Sequence, residues 1–398
     1  VTNTGDVAGK DVVEVYYKPP YTNGGIEKSS ANLIEFAKTD LLQPGESQTV
    51  TVTFSIEDMA SYDENNAKAY VLEKGDYVIS INSDSHTVLD QKTYTADKDV
   101  VYKGENKRAS DDTAATNVFE DAKGDITYLS RADHFANYEE ATAAPASAEL
   151  GEPYVSEYHL NSNFDKTTYL NDEDVMPTTG ADNGLTLADM RDADYDDPRW
   201  EKLLDQPVKF IKSVDEMANM IAMAGYQTAA MDSVGKVATL DFDGPAAINN
   251  NFTGVGSIGF PIEVVVASTW NKELAQAWGE CMGKISQEMG AEGWYAPGMN
   301  THRTAFGARN YEYFSEDGIL SGNSYIKHFA LYEGNAKMVS VWSNEQAIRE
   351  IYLKPFEISV KQGGANAVMV SWSFLGDKWT GECSNLMNTV LREEWGFR

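Results

Sequence analysis

Residues 302–317 read HRTAFGARNYEYFSED and hold two arginines, four aromatics and three carboxylates in sixteen positions. A segment of that composition makes poor core. It suits a polyol, because aromatic faces stack on C–H surfaces while Arg and Glu or Asp bind hydroxyls through charge-assisted hydrogen bonds. Arg309 has the best shape for this, since its planar fork can grip two hydroxyls. Its other duty would be an ion pair with Glu312, Glu316 or Asp317, and the two duties are compatible. Asp243, within DFDGP (241–245), is either a two-oxygen acceptor for hydroxyls or part of an Asp-Gly-Pro turn. Lys327 and His328 are adjacent and lead into Phe329 and Ala330; a Lys-His pair says little alone, and a lone His is more often structural. Other chemistries find thin support. The run 254–259 (GVGSIG) matches GxGxxG only in form, because it precedes a strand-like stretch and opens no helix. His86, His134, His159, His302 and His328 are scattered, and neither Cys281 nor Cys383 has metal-ligand spacing, so no cofactor or metal is expected.

Three words, APGMNTHR (296–303), GARNYEYFSED (307–317) and KHFA (327–330), closely resemble glycoside hydrolase family 3. The resemblance implies a retaining, exo-acting β-glycosidase, foremost a β-glucosidase that removes terminal non-reducing β-D-glucosyl residues through a glycosyl-aspartate. Retention needs two carboxyl groups about 5–5.5 Å apart. It also implies that Asp243 accepts hydrogen bonds from the sugar's 4- and 6-hydroxyls, and that Arg309 grips hydroxyls. Lys327 and His328 would bind around the 2-, 3- and 4-positions. Met369 and Trp372, in AVMVSWS (367–373), match site-lining positions, with Trp372 where a Tyr is usual; core packing at a strand end is their competing role. The partner implied is a β-glucoside or a short β-linked oligosaccharide. Homo-oligomerisation is left open, as is the compartment, with cytoplasm ahead of secretion. Two departures touch the sugar pocket. Asn249 stands where the family often has Arg, and Leu331-Tyr332-Glu333-Gly334-Asn335 replaces an Asn-Asn-Gln-Glu-like run. No His-rich loop follows Lys327-His328, which disfavours N-acetylglucosaminidase activity. A β-xylosidase or dual-specificity enzyme is the rival within the class. A non-catalytic carbohydrate-binding protein is the rival from another.

At 398 residues there is room for two or three domains, a barrel-sized core included. The formal charge of −30 is repelled by phosphate backbones and anionic lipid, so neither nucleic acid nor a membrane surface is expected as a partner. No run of eighteen apolar residues exists, which excludes a helical membrane span. Residues 1–90 read as all-β, with alternation at 11–17 (DVVEVYY), 49–54 (TVTVTF) and 77–81 (YVISI) between Gly- and Pro-bearing turns. Their wording looks like the fibronectin-III-like domain that accompanies many family 3 enzymes. Residues 91–180 read as an extended acidic connector docked by Tyr128, Phe135, Tyr138, Tyr154, Tyr158 and Phe164.

From residue 181 helix and strand alternate. A capping box at 213–216 opens a helix carrying Met217, Met220, Ile221 and Ala224, and the apolar run 262–267 (IEVVVA) reads as a strand. A helix from 272 turns Leu274, Trp278, Cys281, Ile285 and Met289 inward and stops at Gly290. A strand at 294–296, a helix over 345–360 bent at Pro355, a strand at 367–371 and a last helix lined by Leu386, Val390, Leu391 and Trp395 follow. Such alternation predicts a parallel sheet under helices, and a (β/α)8 barrel over a doubly wound sheet. The fold class expected is multi-domain β plus α/β: a fibronectin-III-like β-sandwich (1–90), a connector (91–180) and an incomplete (β/α)8 TIM-type barrel (181–398). Only Ser324, Tyr325 and Ile326 separate Asn323 from Lys327, where a parallel crossover needs a dozen or more residues, so a gap is expected after Asn323. In the family EEWGF (393–397) leads into the strand bearing the nucleophile. The nucleophilic Asp is therefore expected just after Arg398 and the acid/base Glu on a separate domain, with no catalytic residue in the chain.

Overall fold

The structure is a computed structural model that describes residues 1–124, 127–142, 171–173, 175, 180–206, 225–321, 326–333 and 339–397. The helix expected near 213–224, the gap expected after Asn323 and three of the connector aromatics (Tyr154, Tyr158, Phe164) lie outside the described residues.

The first unit is built from β1 (Val12–Lys18), β2 (Asn32–Lys38), β3 (Ser61–Asp63), β4 (Ala69–Leu72), β5 (Gly75–Asn82), β6 (Val88–Ala96) and β7 (Val100–Tyr102). One antiparallel sheet has the order β2-β1-β5-β6 and the other β3-β4-β7. Alternation along β1 sends Val13 and Val15 into a core shared with Ile34, Met59, Leu72, Tyr77 and Ala96. Each large side chain so buried contributes about 1.5–3 kcal/mol. The strand expected at 49–54 is absent. Those residues do alternate, with Val50, Val52 and Phe54 packed on the core, but the backbone joins no ladder. Alternation reports which side chains face inward; a strand also needs a partner within hydrogen-bonding distance. Pairing also runs past residue 90, through β6 and β7.

The opposite face of the β2-β1-β5-β6 sheet docks on the second unit. Tyr16, Leu33 and Phe36 pack with Trp270, Ile319 and Leu320, and Phe36 meets Trp270 edge-on at 5.2 Å. Residues 108–119 thread between the units by polar anchors more than by the expected aromatics. Arg349 binds Glu345 at 2.8 Å, Glu394 at 2.7 Å and the Thr116 carbonyl at 2.7 Å, while Phe119 enters the main core. Phe135 and Tyr138, counted among the docking aromatics, are exposed.

The second unit contains β8 (Gln227–Thr228), β9 (Thr239–Asp243), β10 (Asn249–Asn250), β11 (Val255–Gly256), β12 (Gly293–Tyr295), β13 (Ile326–Phe329), β14 (Ser340–Val341), β15 (Val368–Val370), β16 (Phe374–Leu375) and β17 (Lys378–Trp379). Three pairs are parallel, β9 with β12, β13 with β15, and β14 with β16. Gly298, just past β12, also bridges in parallel to Lys327 of β13. These short pieces, rather than one closed ladder, are what the described residues display.

Helices α1 (Glu263–Ser268), α2 (Lys272–Met289) and α3 (Lys354–Lys361) cover them. The run 262–267, expected as a strand, is therefore helix α1: a short apolar run has no periodicity to separate the two, and here it follows Pro261. Helix α2 begins at Asn271, whose side chain accepts from the Leu274 N–H, and ends at Gly290 with φ 70°. Its inward stripe is Ala275, Trp278, Met282, Ile285 and Met289. Trp278, Ile285 and Met289 face inward as expected, whereas Leu274 and Cys281, expected beside them, are exposed, each one position short of the buried stripe. The helix expected over 345–360 breaks where Pro355 supplies no N–H: residues 348–352 widen so that the Leu353 N–H reaches the Ile348 carbonyl at 2.8 Å, and α3 starts afresh.

Candidate functional site

Asp243 closes β9, beside Tyr295 of β12 in parallel register and directly across from Asn249 of β10. The chain turns sharply after it. Gly244 has φ 102°, and a Cβ there would lie 1.8 Å from the Ala247 carbonyl, so only glycine fits. The Gly244 N–H donates to Asp243 Oδ1 at 2.7 Å, and the Tyr226 hydroxyl donates to Oδ2 at 3.2 Å. Tyr226 is itself held by the Tyr295 hydroxyl, which accepts from the Tyr226 N–H and donates to Asp241.

Lys327 rises from β13 into a buried position, 1% exposed. Its Nζ lies 2.9 Å from Asp243 Oδ1 and 3.3 Å from Glu312 Oε2. Glu312 is fully buried and also pairs with Arg309 Nε. Arg309 carries its guanidinium 5.8 Å from the Tyr332 ring centroid. The Arg309–Glu312 turn can lie this close because Gly298 has no side chain; a Cβ there would meet the Glu312 carbonyl at 2.3 Å and the Tyr313 ring at 2.6 Å.

His328 is 1% exposed, with its Nδ1 3.3 Å from the Tyr313 hydroxyl and its ring edge-on to Tyr332 at 5.1 Å. Its N–H donates to Asn300 Oδ1 at 2.8 Å, and Asn300 Nδ2 returns a bond to the His328 carbonyl at 3.1 Å. Asn300 Nδ2 also donates to Glu333, whose carboxyl is lifted to about 7 by burial against the pull of that bond.

The electrostatics form one balanced group. Burial pushes the Asp243 carboxyl up, but the Lys327 ammonium and the Gly244 and Tyr226 donors outweigh it and hold the pKa below the usual value. Burial, aided by Arg309 and Lys327, drops the His328 imidazole to about 2, so the ring is neutral. Burial works to lower the Arg309 pKa, and Glu312 reverses that and raises it. Two cations thus face two carboxylates around a neutral imidazole. Lys327 donates to Asp243 Oδ1 and stands at ion-pair distance from Glu312 Oε2, and a third of the Asp243 side chain stays open to solvent. Such a group offers aligned donors and acceptors to hydroxyls at little cost in net charge.

Of the residues singled out in the sequence, the structure brings Asp243, Arg309, Lys327 and His328 together. Met369 sits opposite Lys327 on β15, half-buried, and Trp372 lies two residues past that strand, 40% exposed. Sequence reasoning had Glu312 only as one of three ion-pair partners and passed over Tyr226, Asn300 and Glu263. The spacing Arg309-x-x-Glu312 was the available signal for the first; the others carry none. A cavity of about 1310 Å³ lies elsewhere, between the two units, where Tyr17, Glu35, Lys272, Phe314 and Asp317 line it.

A fibronectin type III-like domain matches residues 11–85, and a glycosyl hydrolase family 3 N terminal domain matches residues 249–398. Beta-glucosidase A of Butyrivibrio fibrisolvens is 31% identical over 434 residues, covering 100% of this chain and 49% of that protein. A beta-glucosidase of Ruminococcus albus is 29% identical over 421 residues, covering 100% of this chain and 42% of its own length. The crystal structure of a beta-glucosidase from Paenibacillus barengoltzii aligns with a TM-score of 0.73 at 26% identity, covering 100% of this chain and 44% of that one. The chain therefore spans about half the length of the curated relatives it matches.

Proposed function

We propose, from the premise that this chain belongs to glycoside hydrolase family 3, that it is the sugar-holding part of a retaining, exo-acting β-glucosidase. The observation that carries the reading is the convergence of Asp243, Lys327, Glu312 and Arg309 in one charge-balanced group flanked by Tyr226, Tyr313 and Tyr332. Asp243 accepts hydrogen bonds from two sugar hydroxyls, Arg309 and Lys327 donate to others, and neutral His328 donates or accepts as the ring requires. The part of the second unit that carries them is read as belonging to a (β/α)8 barrel, of which the three parallel pairs are the supporting evidence. The division of the chain into sandwich, connector and barrel part is likewise a proposal, with the first boundary moved beyond β7, as are the site-lining roles of Met369 and Trp372.

The chemistry of retention needs a nucleophilic carboxylate and a protonated carboxyl about 5–5.5 Å apart. The reading assigns neither to the residues of this chain, which bind and orient the sugar. Glucose is favoured over xylose because both relatives that match over the whole chain are named beta-glucosidases. The test is NMR of the anomer released from an aryl β-glucoside by the polypeptide as expressed from its gene. β-Glucose as the first product supports retention, and α-glucose first overturns it. Sugar binding with no turnover would leave a carbohydrate-binding protein.

A further inference from the structure

Glu263 is a buried carboxyl that the sugar-holding group does not use. It opens helix α1, is 0% exposed, and neither Oε1 nor Oε2 has a hydrogen-bond partner. Helix α1 packs on the Asn310–Glu312 turn. There, Glu312 Oε2 also lacks a hydrogen-bond donor, and its cation, Lys327, stands 3.3 Å away. Two orphaned carboxyl faces therefore belong to one dry region. Asp243 and Glu312 already balance Lys327 and Arg309, so an ionised Glu263 would be an uncompensated fifth charge away from water, which is strongly disfavoured. A protonated carboxyl avoids this and supplies an O–H donor.

We propose that Glu263 is a positioning residue that holds a proton at neutral pH, and that its O–H, directed toward the Glu312 carboxylate, keeps Glu312 aligned on both Arg309 and Lys327. The surroundings agree. Burial lifts the Glu263 carboxyl to about 8; its own N–H pulls down without making a hydrogen bond, Glu312 pushes up, and Lys327 pulls down. Tyr311, on the same turn as Glu312, is a further titratable neighbour. Helix α2 presents no charge to it, since Lys272, Glu273, Glu280, Lys284 and Glu288 are all exposed. Below the folded-state pKa the group is neutral and the four-charge balance holds; above it an extra negative charge competes with Glu312 for Lys327.

The effect on sugar affinity rests on the proposed function, whereas the proton on Glu263 rests on the fold alone, and the experiment separates the two. Carboxyl-13C glutamate NMR of the chain, with Glu263→Gln and Glu263→Met identifying the resonance, reads the proton directly. Calorimetric titration with glucose, on either side of the pKa of about 8, reads the consequence. The expected results are a Glu263 carboxyl titrating near 8, and a glucose affinity that falls several-fold at alkaline pH in the parent chain but not in Glu263→Gln. A carboxyl titrating near the ordinary 4.5 overturns the proposal. So does a Glu263→Gln chain, folded by its NMR spectrum, that has lost glucose at neutral pH, because neutral glutamine should substitute for a neutral acid. Titration near 8 with no glucose bound at any pH upholds the proton and refutes the sugar-holding reading instead.

Discussion

Replacing Lys327 with methionine removes the cation that two carboxylates share. Asp243 has a third of its side chain in water, so its share of the ion pair is worth roughly 0–1 kcal/mol. Glu312 is different, with side-chain exposure of 0% against 2% for Lys327, and solvent does little to screen that pair. Stripping one partner from a buried pair costs about 3–5 kcal/mol. Arg309 remains on Glu312 and is only partly buried, so the loss falls at the low end, about 3 kcal/mol. Urea unfolding followed by tryptophan fluorescence reads this as a lower midpoint at unchanged slope. Because the penalty comes from a buried Glu312 carboxylate left with Arg309 alone, adding Glu312→Gln to Lys327→Met should restore roughly 1 kcal/mol or more. A single-variant loss below about 1 kcal/mol, or strict additivity in the double variant, would refute the view that Glu312 and Lys327 act as a buried unit.

The other expectations are simpler. Gly298→Ala forces a Cβ to within 2.3 Å of the Glu312 carbonyl and should cost about 1–3 kcal/mol along with glucose affinity. Gly279→Ala, in helix α2 with nothing within 4 Å of its Cβ, should instead stabilise by up to about 1 kcal/mol, and equal effects in calorimetric melting would sink the argument. His328 is neutral in the fold but takes up a proton in the unfolded chain near its ordinary 6.5, so stability should fall as pH drops below that value. The slope approaches about 1.4 kcal/mol per pH unit and should be missing in His328→Asn; an unchanged acid limb in that variant contradicts the burial argument. Cys281 is exposed and Cys383 buried, with burial raising the Cys383 thiol. A disulfide reagent should therefore label one of the two cysteines quickly and the second only on unfolding.

What could be read from the sequence was side-chain facing and local punctuation. β1 and β5 follow from alternation between turn residues, and α2 from its helical apolar spacing and Gly290 at its end. Backbone partnership could not be read. Residues 49–54 alternate as a strand does yet pair with nothing, and 262–267 is as apolar as a buried strand yet coils into α1. On α2 the expected Trp278, Ile285 and Met289 face inward, but Leu274 and Cys281 were each read one position off, because Trp278 fits either of two adjacent stripes. At the site, word resemblance located Asp243, Arg309, Lys327 and His328, but no pattern could say that Glu312 lies between two cations. That arrangement depends on Gly298 letting the Arg309–Glu312 turn settle against it, a tertiary contact that no local spacing encodes. The same holds for Asn249, whose place across from Asp243 is a matter of strand register.

If Asp243, Arg309, Lys327 and His328 together hold a sugar, titration calorimetry of glucose against this chain and its Asp243→Ala variant will show it. The expected result is saturable one-site binding that weakens at least about tenfold, roughly 1.4 kcal/mol, when the Asp243 carboxylate is removed. Binding unchanged in Asp243→Ala, or none in the folded parent chain, would contradict it.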